Sequence, residues 1–145
     1  MKLLIQRVNS AYVLVKNQTV GIINHGLLVF VGFTHTDIQE TVDKLTAKLL
    51  QLRIFPDTND KMNLSIQDIK GEILIVSQFT LYGDCQKGNR PSFVNAANPK
   101  EAEKLYNYFV KKCKESNLKV ATGEFGTYMQ VNLVNDGPVT VILEK

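Results

Sequence analysis

Five consecutive apolar residues, Leu-Leu-Val-Phe-Val at positions 27–31, constrain the fold of this chain more than any other feature. A strand that is apolar on every residue, and not only on every second one, has to be covered on both faces. We therefore expect this strand to lie in the interior. Further strands are predicted at residues 3–15, at residues 19–34 with a break at 24–26, and at residues 72–81.

Two helices are predicted from their apolar spacing and their start signals. The first begins with a capping box in which Thr36 is the N-cap and Gln39 the partner. The second begins with Asn98 as N-cap and Pro99 at the first helical position. The apolar faces contain Ile38, Val42, Leu45, Leu49 and Leu52 in the first helix, and Ala102, Leu105, Tyr106, Phe109 and Cys113 in the second.

The chain ends in two predicted strands, residues 128–134 and 139–143, separated by Asn135-Asp136-Gly137-Pro138. On spacing alone, this tetrapeptide is predicted to be a hairpin turn, and its Gly-Pro bond can be cis at modest cost. Strands and helices do not alternate strictly. The predicted fold class is therefore α+β, with one domain over residues 1–145 and a largely antiparallel sheet.

Composition excludes several classes of protein. The 145 residues are 44% hydrophobic and carry a formal net charge of +3, which is typical of a globular domain and not of a disordered tail. No apolar run approaches the ~20 residues of a membrane span, and Gln6-Arg7 interrupt the first apolar stretch, so no signal peptide is predicted. Cys85 and Cys113 form neither a disulfide framework nor a zinc pattern. We expect a cytoplasmic protein with no metal and no cofactor.

The positive charge is concentrated in one segment. Residues 84–115 hold seven basic and four acidic side chains, which accounts for the whole excess. Such a segment is either the solvated face of a helix or a surface that faces a polyanion, and charge alone does not decide between them.

The sequence contains no conventional catalytic constellation. His25 and His35 lie outside any Cys/His or Ser/His signature, and we assign both structural or solvated roles. The predicted strand at 72–81 turns polar at its end, in Ser77-Gln78-Phe79-Thr80-Leu81-Tyr82. This is either a strand end with satisfied polar groups or the edge of a site. Thr80 as a nucleophile would need a base, and the sequence offers none nearby.

Four motifs together resemble one known family. They are Ser77-Gln78-Phe79-Thr80-Leu81, Asn135-Asp136-Gly137-Pro138-Val139-Thr140, Ile5-Gln6-Arg7-Val8 and Arg90-Pro91-Ser92-Phe93. In this order and at these ends of the chain, they resemble the D-aminoacyl-tRNA deacylase family of the bacterial and eukaryotic type. The resemblance covers essentially the whole chain.

The resemblance implies an editing enzyme that hydrolyses the ester between a D-amino acid, or glycine, and the 3′-terminal adenosine of tRNA. It also implies a barrel-like sheet and a homodimer in which each site is completed by the partner subunit. The Gly137-Pro138 pair would be cis and would enter the neighbouring pocket, where its carbonyls meet the substrate amino group and exclude an L side chain.

The resemblance also assigns roles at the catalytic motif. Gln78 and Phe79 would act through their backbone at the ester carbonyl, Thr80 would close the pocket, and Ser77 would shape the loop. Arg7 would brace the Gly-Pro loop by hydrogen bonding to its backbone; without the resemblance, it is an ordinary strand arginine in an ion pair. An aminoacyl ester is labile and its neighbouring 2′-OH can assist, so positioning and oxyanion stabilisation would suffice.

Three other functions remain open from the sequence. An RNA-binding module would bind tRNA without cleaving the ester, and a small-molecule hydrolase would act on free D-amino acid esters. A structural dimerisation domain would leave the polar strand end unexplained. The expected partners are the aminoacylated 3′ end of tRNA and a second copy of the chain, with no membrane and no DNA.

Overall fold

The computed structural model describes residues 1–145, which form eight strands, two α-helices and one 3₁₀ helix. The strands are β1 (Lys2–Val15), β2 (Gln18–Ile23), β3 (Gly26–Gly32), β4 (Phe55–Pro56), β5 (Met62–Leu64), β6 (Glu72–Ser77), β7 (Val120–Thr122) and β8 (Gln130–Glu144). The helices are α1 (Gln39–Leu50), α2 (Pro99–Lys114) and the 3₁₀ helix Phe79–Tyr82. No helix is both long and apolar enough to cross a bilayer.

The main sheet is mixed, so the expectation of a largely antiparallel sheet is not confirmed. Strand β1 pairs antiparallel with β2, β3 and β8. Strand β6 pairs parallel with β3 on one side and with β7 on the other. The chain between β3 and β6 contains α1, and a crossover of that length permits parallel pairing. The α+β class is confirmed.

The sheet curls into a nearly closed barrel because β2 and β7 approach each other at Gly21. A Cβ atom at this position would lie 2.3 Å from the backbone oxygen of Thr122. Only glycine therefore allows this approach of the two backbones.

The apolar run at 27–31 is covered on both faces, as its composition predicts. Leu27, Val29 and Val31 belong to a 20-residue core that lies between the sheet and the two helices. Leu28 belongs to a second core of 7 residues inside the barrel, against which Phe30 packs. Successive side chains of one strand thus enter different cores.

The two helix starts differ in how well the sequence predicts them. At α2 the side chain of Asn98 accepts a hydrogen bond from Glu101 N at 3.0 Å, with Pro99 following it, as predicted. At α1 the predicted cap at Thr36 is wrong, because the helix begins at Gln39 without a side-chain cap. The carboxylate of Asp37 instead accepts a hydrogen bond from Thr34 N at 2.7 Å and closes a turn that includes Thr36.

Two strand boundaries also differ from the sequence-based expectation. Strand β6 ends at Ser77 and the 3₁₀ helix follows, so the predicted continuation to residue 81 is wrong. The predicted hairpin turn at 135–138 is wrong as well, because β8 is one continuous strand along β1. Gln6 pairs with Thr140 and Val8 with Asn135. Because one intervening residue of β1, Arg7, is matched by four of β8, residues 136–139, the extra residues form a bulge and not a turn.

Candidate functional site

The polar motif begins where β6 leaves the sheet. Ser77 is the last residue paired with β3, and the Gln78 N–H donates to Val31 O at 2.8 Å. The chain then turns at once, with Leu81 N donating to Gln78 O at 3.2 Å. This sharp exit from a parallel strand places the next residues at the carboxyl end of the sheet, where binding sites are commonly built.

Two adjacent backbone donors are available at this strand end. The first N–H groups of a helical turn have no acceptor within the turn, and those of Phe79 and Thr80 donate to no loop carbonyl and no side chain. The N–H of Gln78 is already used in the contact with β3. The free donors therefore lie on Phe79 and Thr80, one residue further along than the pair Gln78 and Phe79 expected from the resemblance.

The hydroxyl of Thr80 has an amide, and no base, as its neighbour. Its Oγ1 accepts a hydrogen bond from Gln78 Nε2. No histidine, carboxylate or lysine makes a hydrogen bond to this hydroxyl. The contact orients the side chains of both residues, whereas activation of Thr80 as a nucleophile would require a proton acceptor.

Aromatic packing fixes the 3₁₀ helix from outside. The ring of Phe79 is 57% exposed and meets Phe93 edge-on, with 5.2 Å between centroids and an interplanar angle of 69°. Paired backbone hydrogen bonds of 2.8 and 2.9 Å between Asp84 and Ser92 close the loop that directly precedes Phe93. The Arg90–Phe93 motif therefore supports the Ser77–Leu81 motif directly.

A cleft of about 390 Å³ opens beside the 3₁₀ helix. It is lined by Lys2, Tyr82, Gly83, Asp84, Cys85, Gln86 and Asn95. Lys2 Nζ lies 4.8 Å from the ring centroid of Tyr82. Burial, together with the negative charges of Asp37 and Glu144, raises the pKa of the Tyr82 phenol well above its usual range. The phenol therefore stays neutral where it lines the cleft.

The second motif forms an exposed loop within β8. The peptide bond between Gly137 and Pro138 is cis, and both residues are exposed. Gly137 has a φ of +124°, a region that favours glycine. A Cβ at this position would lie 2.9 Å from Val139 Cγ2 and 3.2 Å from Arg7 Nη2. The loop is thus a close-packed backbone element that admits no side chain at Gly137.

Arg7 holds the base of this loop. Its side chain is buried, and its Nε donates to Asp136 O at 3.1 Å and contacts Asp136 Oδ2 at 2.9 Å. Its Nη1 donates to Ile54 O at 2.6 Å. A buried guanidinium needs such partners, since removal of one leaves an uncompensated charge.

Sequence reasoning missed the contacts of Asp136, His25 and Phe93. Asp136 lies inside the Asn-x-Gly-Pro motif, at the position where the motif specifies no residue. His25 Nε2 lies 3.5 Å from the Asp136 carboxylate, a contact that the predicted structural or solvated role of His25 does not specify. These residues are far from their contact partners in the chain, so local sequence patterns do not predict the contacts. Phe93 alone carried a signal, because it belongs to the Arg90–Phe93 motif.

The two motifs do not meet within one chain. Ser77 pairs with Val31, and Val31 pairs in turn with Leu3. Leu3 pairs with Leu143, which is six residues beyond Gly137 on β8. Three strand spacings across the sheet and six residues along β8 put the two motifs on the order of 20 Å apart.

Local ion pairs offset part of the basic segment. On α2, Lys104 pairs with Glu101 at 2.9 Å, and Lys112 pairs with Glu115. Lys111 and Lys114 in the last turn have no such partner. No three His, Cys, Asp or Glu side chains gather in an arrangement that could hold a metal ion.

Comparisons with known proteins agree with these features. The family model described as D-Tyr-tRNA(Tyr) deacylase matches residues 4–144. A D-aminoacyl-tRNA deacylase of Clostridioides difficile is 56% identical, and one of Thermosipho africanus is 58% identical, each over 100% of this chain and 97% of the relative. The solved structure of a c-Myc DNA Unwinding Element Binding Protein matches with a TM-score of 0.94 and 40% identity, over 100% of this chain and 99% of that one.

Proposed function

This chain belongs to the D-Tyr-tRNA(Tyr) deacylase family, a family of ester hydrolases, and from that premise we propose how it acts. The substrate is the ester between a D-amino acid, or glycine, and the 3′-terminal adenosine of tRNA. The observation that carries the mechanism is the strand end at β6, which offers two free backbone donors but no nucleophile with a base. Such a site suits an ester that is already reactive.

The backbone donors supply the stabilisation that the reaction needs. As water attacks the ester carbonyl, negative charge develops on the carbonyl oxygen, and the N–H groups of Phe79 and Thr80 are available to bind it. Preorganised donors of this kind are worth about 10²–10³ in rate for each hydrogen bond. The vicinal 2′-OH of the ribose assists the attack, so that Thr80 closes the pocket without forming a covalent bond and Ser77 shapes the exit of the strand.

Two variants of Phe79 separate the donor from the ring. Phe79→Ala removes the ring and keeps the N–H, whereas Phe79→Pro removes both, at a first helical position that tolerates proline. We expect kcat of the proline variant to fall about 10²-fold or more below that of the alanine variant. Equal kcat values in two folded variants would contradict a catalytic role of this N–H.

Chiral selection rests on the loop in β8. The backbone carbonyls at Gly137 and Pro138 would receive the α-amino group of the substrate and occupy the space of an L side chain. Arg7 braces this loop through Asp136 O. Exclusion by rigid backbone gives selectivity by rejecting the wrong substrate, and it leaves glycine, which has no side chain, among the substrates.

The loop acts on the site of a second copy of the chain. The distance between the two motifs, on the order of 20 Å, is too large for one loop to reach the strand end of its own chain. Strand β8 has no buried residue over its 15 positions, although it is rich in valine, leucine and isoleucine. These two features support a homodimer.

An apolar row indicates which face the partner covers. Val76 pairs with Phe30, Phe30 with Leu4, and Leu4 with Ile142. Exposure rises along the row, from 1% at Val76 to 63% at Ile142. This row runs from the strand of the catalytic motif to the strand of the loop, and so follows the route that a partner's loop would take.

Mixed dimers test whether the site is completed by the partner. Gly137→Ala damages the loop and Phe79→Pro damages the donors. If each site takes its donors from one subunit and its loop from the other, a mixed dimer contains one site with intact donors and an intact loop. Co-expression of the two variants should restore about a quarter of wild-type activity, since half of randomly formed dimers are mixed. No recovery in isolated mixed dimers would refute completion in trans.

The activity itself is tested with D-tyrosyl-tRNA and L-tyrosyl-tRNA in parallel, with a chelator present. We expect release of amino acid from the D ester alone. Cleavage of neither ester, with tRNA still bound, would favour an RNA-binding module. Cleavage of free D-amino acid esters at the same rate would favour a small-molecule hydrolase, and cleavage of both tRNA esters would refute the chiral role of the loop.

The partner and compartment follow from this substrate. Aminoacyl-tRNA is used where translation occurs, so we infer a cytoplasmic enzyme. The name of one structural relative says that it binds a DNA unwinding element. For this chain tRNA remains the proposed nucleic acid, and a duplex DNA arm in a binding assay at the same salt concentration tests the expected absence of DNA binding.

A further inference from the structure

We propose that His25 is a positioning residue for the Gly137-Pro138 loop and acts on it through Asp136. The inference deepens the proposed function, on which it rests, because it concerns the device that rejects L substrates. His25 lies between β2 and β3, outside both sequence motifs.

The carboxylate of Asp136 lies between the Arg7 guanidinium and the His25 imidazole. Its Oδ2 is 2.9 Å from Arg7 Nε and 3.5 Å from His25 Nε2. Arg7 also binds the Asp136 carbonyl, which is the oxygen directly before Gly137. The side chain and the backbone of Asp136 are thus fixed from two directions, and the next residue is the first of the loop.

The imidazole itself has a fixed orientation. Its ring meets Phe55 edge-on, with 5.4 Å between centroids and an interplanar angle of 85°. Phe55 is fully buried, and the preceding residue, Ile54, supplies the carbonyl that accepts from Arg7. Both groups that hold Asp136 are therefore anchored on the same buried segment.

The loop needs such support because the ladder does not provide it. The residues between Asn135 and Thr140 have no partner on β1, so no regular hydrogen bonds fix their position. Two sets of contacts relate the exposed loop to the rest of the chain: those of Asp136 with Arg7 and His25, and the packing of Val139 against the main core. A small movement of Asp136 would shift the space available to an L side chain.

Other charged groups near His25 are engaged elsewhere. The Glu72 N–H donates to His25 O, but the Glu72 carboxylate accepts from Asn24 N at 2.8 Å and from Lys119 Nζ at 2.8 Å. The His25 side chain faces Asp136 and is 49% exposed. Its removal should therefore alter the loop while the core stays intact.

The test compares His25→Ala with His25→Lys, which restores a donor that can reach Asp136. Cleavage of the L ester relative to the D ester should rise about three- to fivefold in the alanine variant, the effect expected for a partly exposed polar contact. The lysine variant should restore the wild-type ratio. Cleavage of glycyl-tRNA is the internal control, since glycine has no side chain to reject and its rate should change only in step with that of the D ester.

The NMR order parameter of the Gly137 amide gives a second readout that does not depend on activity. We expect a lower order parameter in His25→Ala than in the wild type, and the wild-type value in His25→Lys. If the wild type cleaves neither ester, the proposed function fails, and the order parameter still decides whether His25 holds the loop. If the wild type is selective while His25→Ala matches it in both readouts, the inference about His25 is overturned.

Discussion

Replacing Gly137 by alanine tests the loop at its most constrained point. The new methyl group would lie 2.9 Å from Val139 Cγ2, 3.0 Å from Val139 N and 3.2 Å from Arg7 Nη2. A φ of +124° is also unfavourable for any residue with a Cβ. The methyl therefore strains its own backbone and presses on the arginine that braces the loop.

The expected cost is large for the loop and small for the fold. Unfavourable backbone of this kind costs about 1–3 kcal/mol, against a total stability of about 5–15 kcal/mol for a protein domain. The variant should therefore fold, with a melting temperature lowered by roughly 3–10 °C. Relief of the contacts would move the loop by several tenths of an ångström or more, and misplacement near 1 Å costs about 10²-fold in rate.

The assay measures kcat/KM for D-tyrosyl-tRNA together with thermal unfolding. Gly126→Ala is the matched control, because Gly126 has a φ of +73° but no atom within 4 Å of its added Cβ. The control should lose stability and keep activity, whereas Gly137→Ala should lose at least tenfold more activity than the control. A folded Gly137→Ala dimer with activity near that of Gly126→Ala would refute the reasoning.

Three further predictions follow from the same structure. Thr80→Ala should lower kcat by no more than about tenfold, the value of one neutral hydrogen bond; a fall to the uncatalysed rate would show that the hydroxyl is a nucleophile. Ile142→Arg should dissociate the proposed homodimer in light-scattering measurements and abolish activity, and a fully active monomer would contradict a shared site. Under native conditions iodoacetamide should modify the exposed Cys85 alone, because burial raises the pKa of the Cys113 thiol to about 12; a second adduct before unfolding would contradict this assignment.

The elements that sequence predicted well are those fixed by local chemistry. The apolar composition of residues 27–31 predicts burial on both faces of the strand, and Asn98 followed by Pro99 predicts the start of α2. The predicted start of α1 is wrong because Thr34–Asp37 forms a turn, in which the Asp37 carboxylate accepts a hydrogen bond from Thr34 N. Thr36 lies inside this turn and does not cap the helix. That choice depends on competing polar groups within one turn, and residue type alone does not rank them.

The loop in β8 was misread for a different reason. Asn-Asp-Gly-Pro between two apolar runs has the composition of a hairpin turn. Here β1 runs alongside both apolar segments, so their pairing is satisfied without a reversal and the extra residues are expelled as a bulge. Pairing between segments more than a hundred residues apart decided the outcome, and no local pattern records it.

In the proposed mechanism, a site made of backbone groups explains why the Ser77–Leu81 motif carries so little visible chemistry. The N–H groups of Phe79 and Thr80 are free because β6 ends at Ser77 and the chain turns there. The N–H of Gln78 donates to Val31 O and so fixes the start of this turn. Side-chain identity in such a motif specifies a turn, and the turn supplies the chemistry. The same holds for Gly137, whose contribution is the absence of a side chain. The effect of a substitution in either motif should therefore be interpreted through the backbone that it moves. For this reason, comparison of Phe79→Pro with Phe79→Ala tests the backbone donor directly, whereas removal of the Thr80 hydroxyl does not.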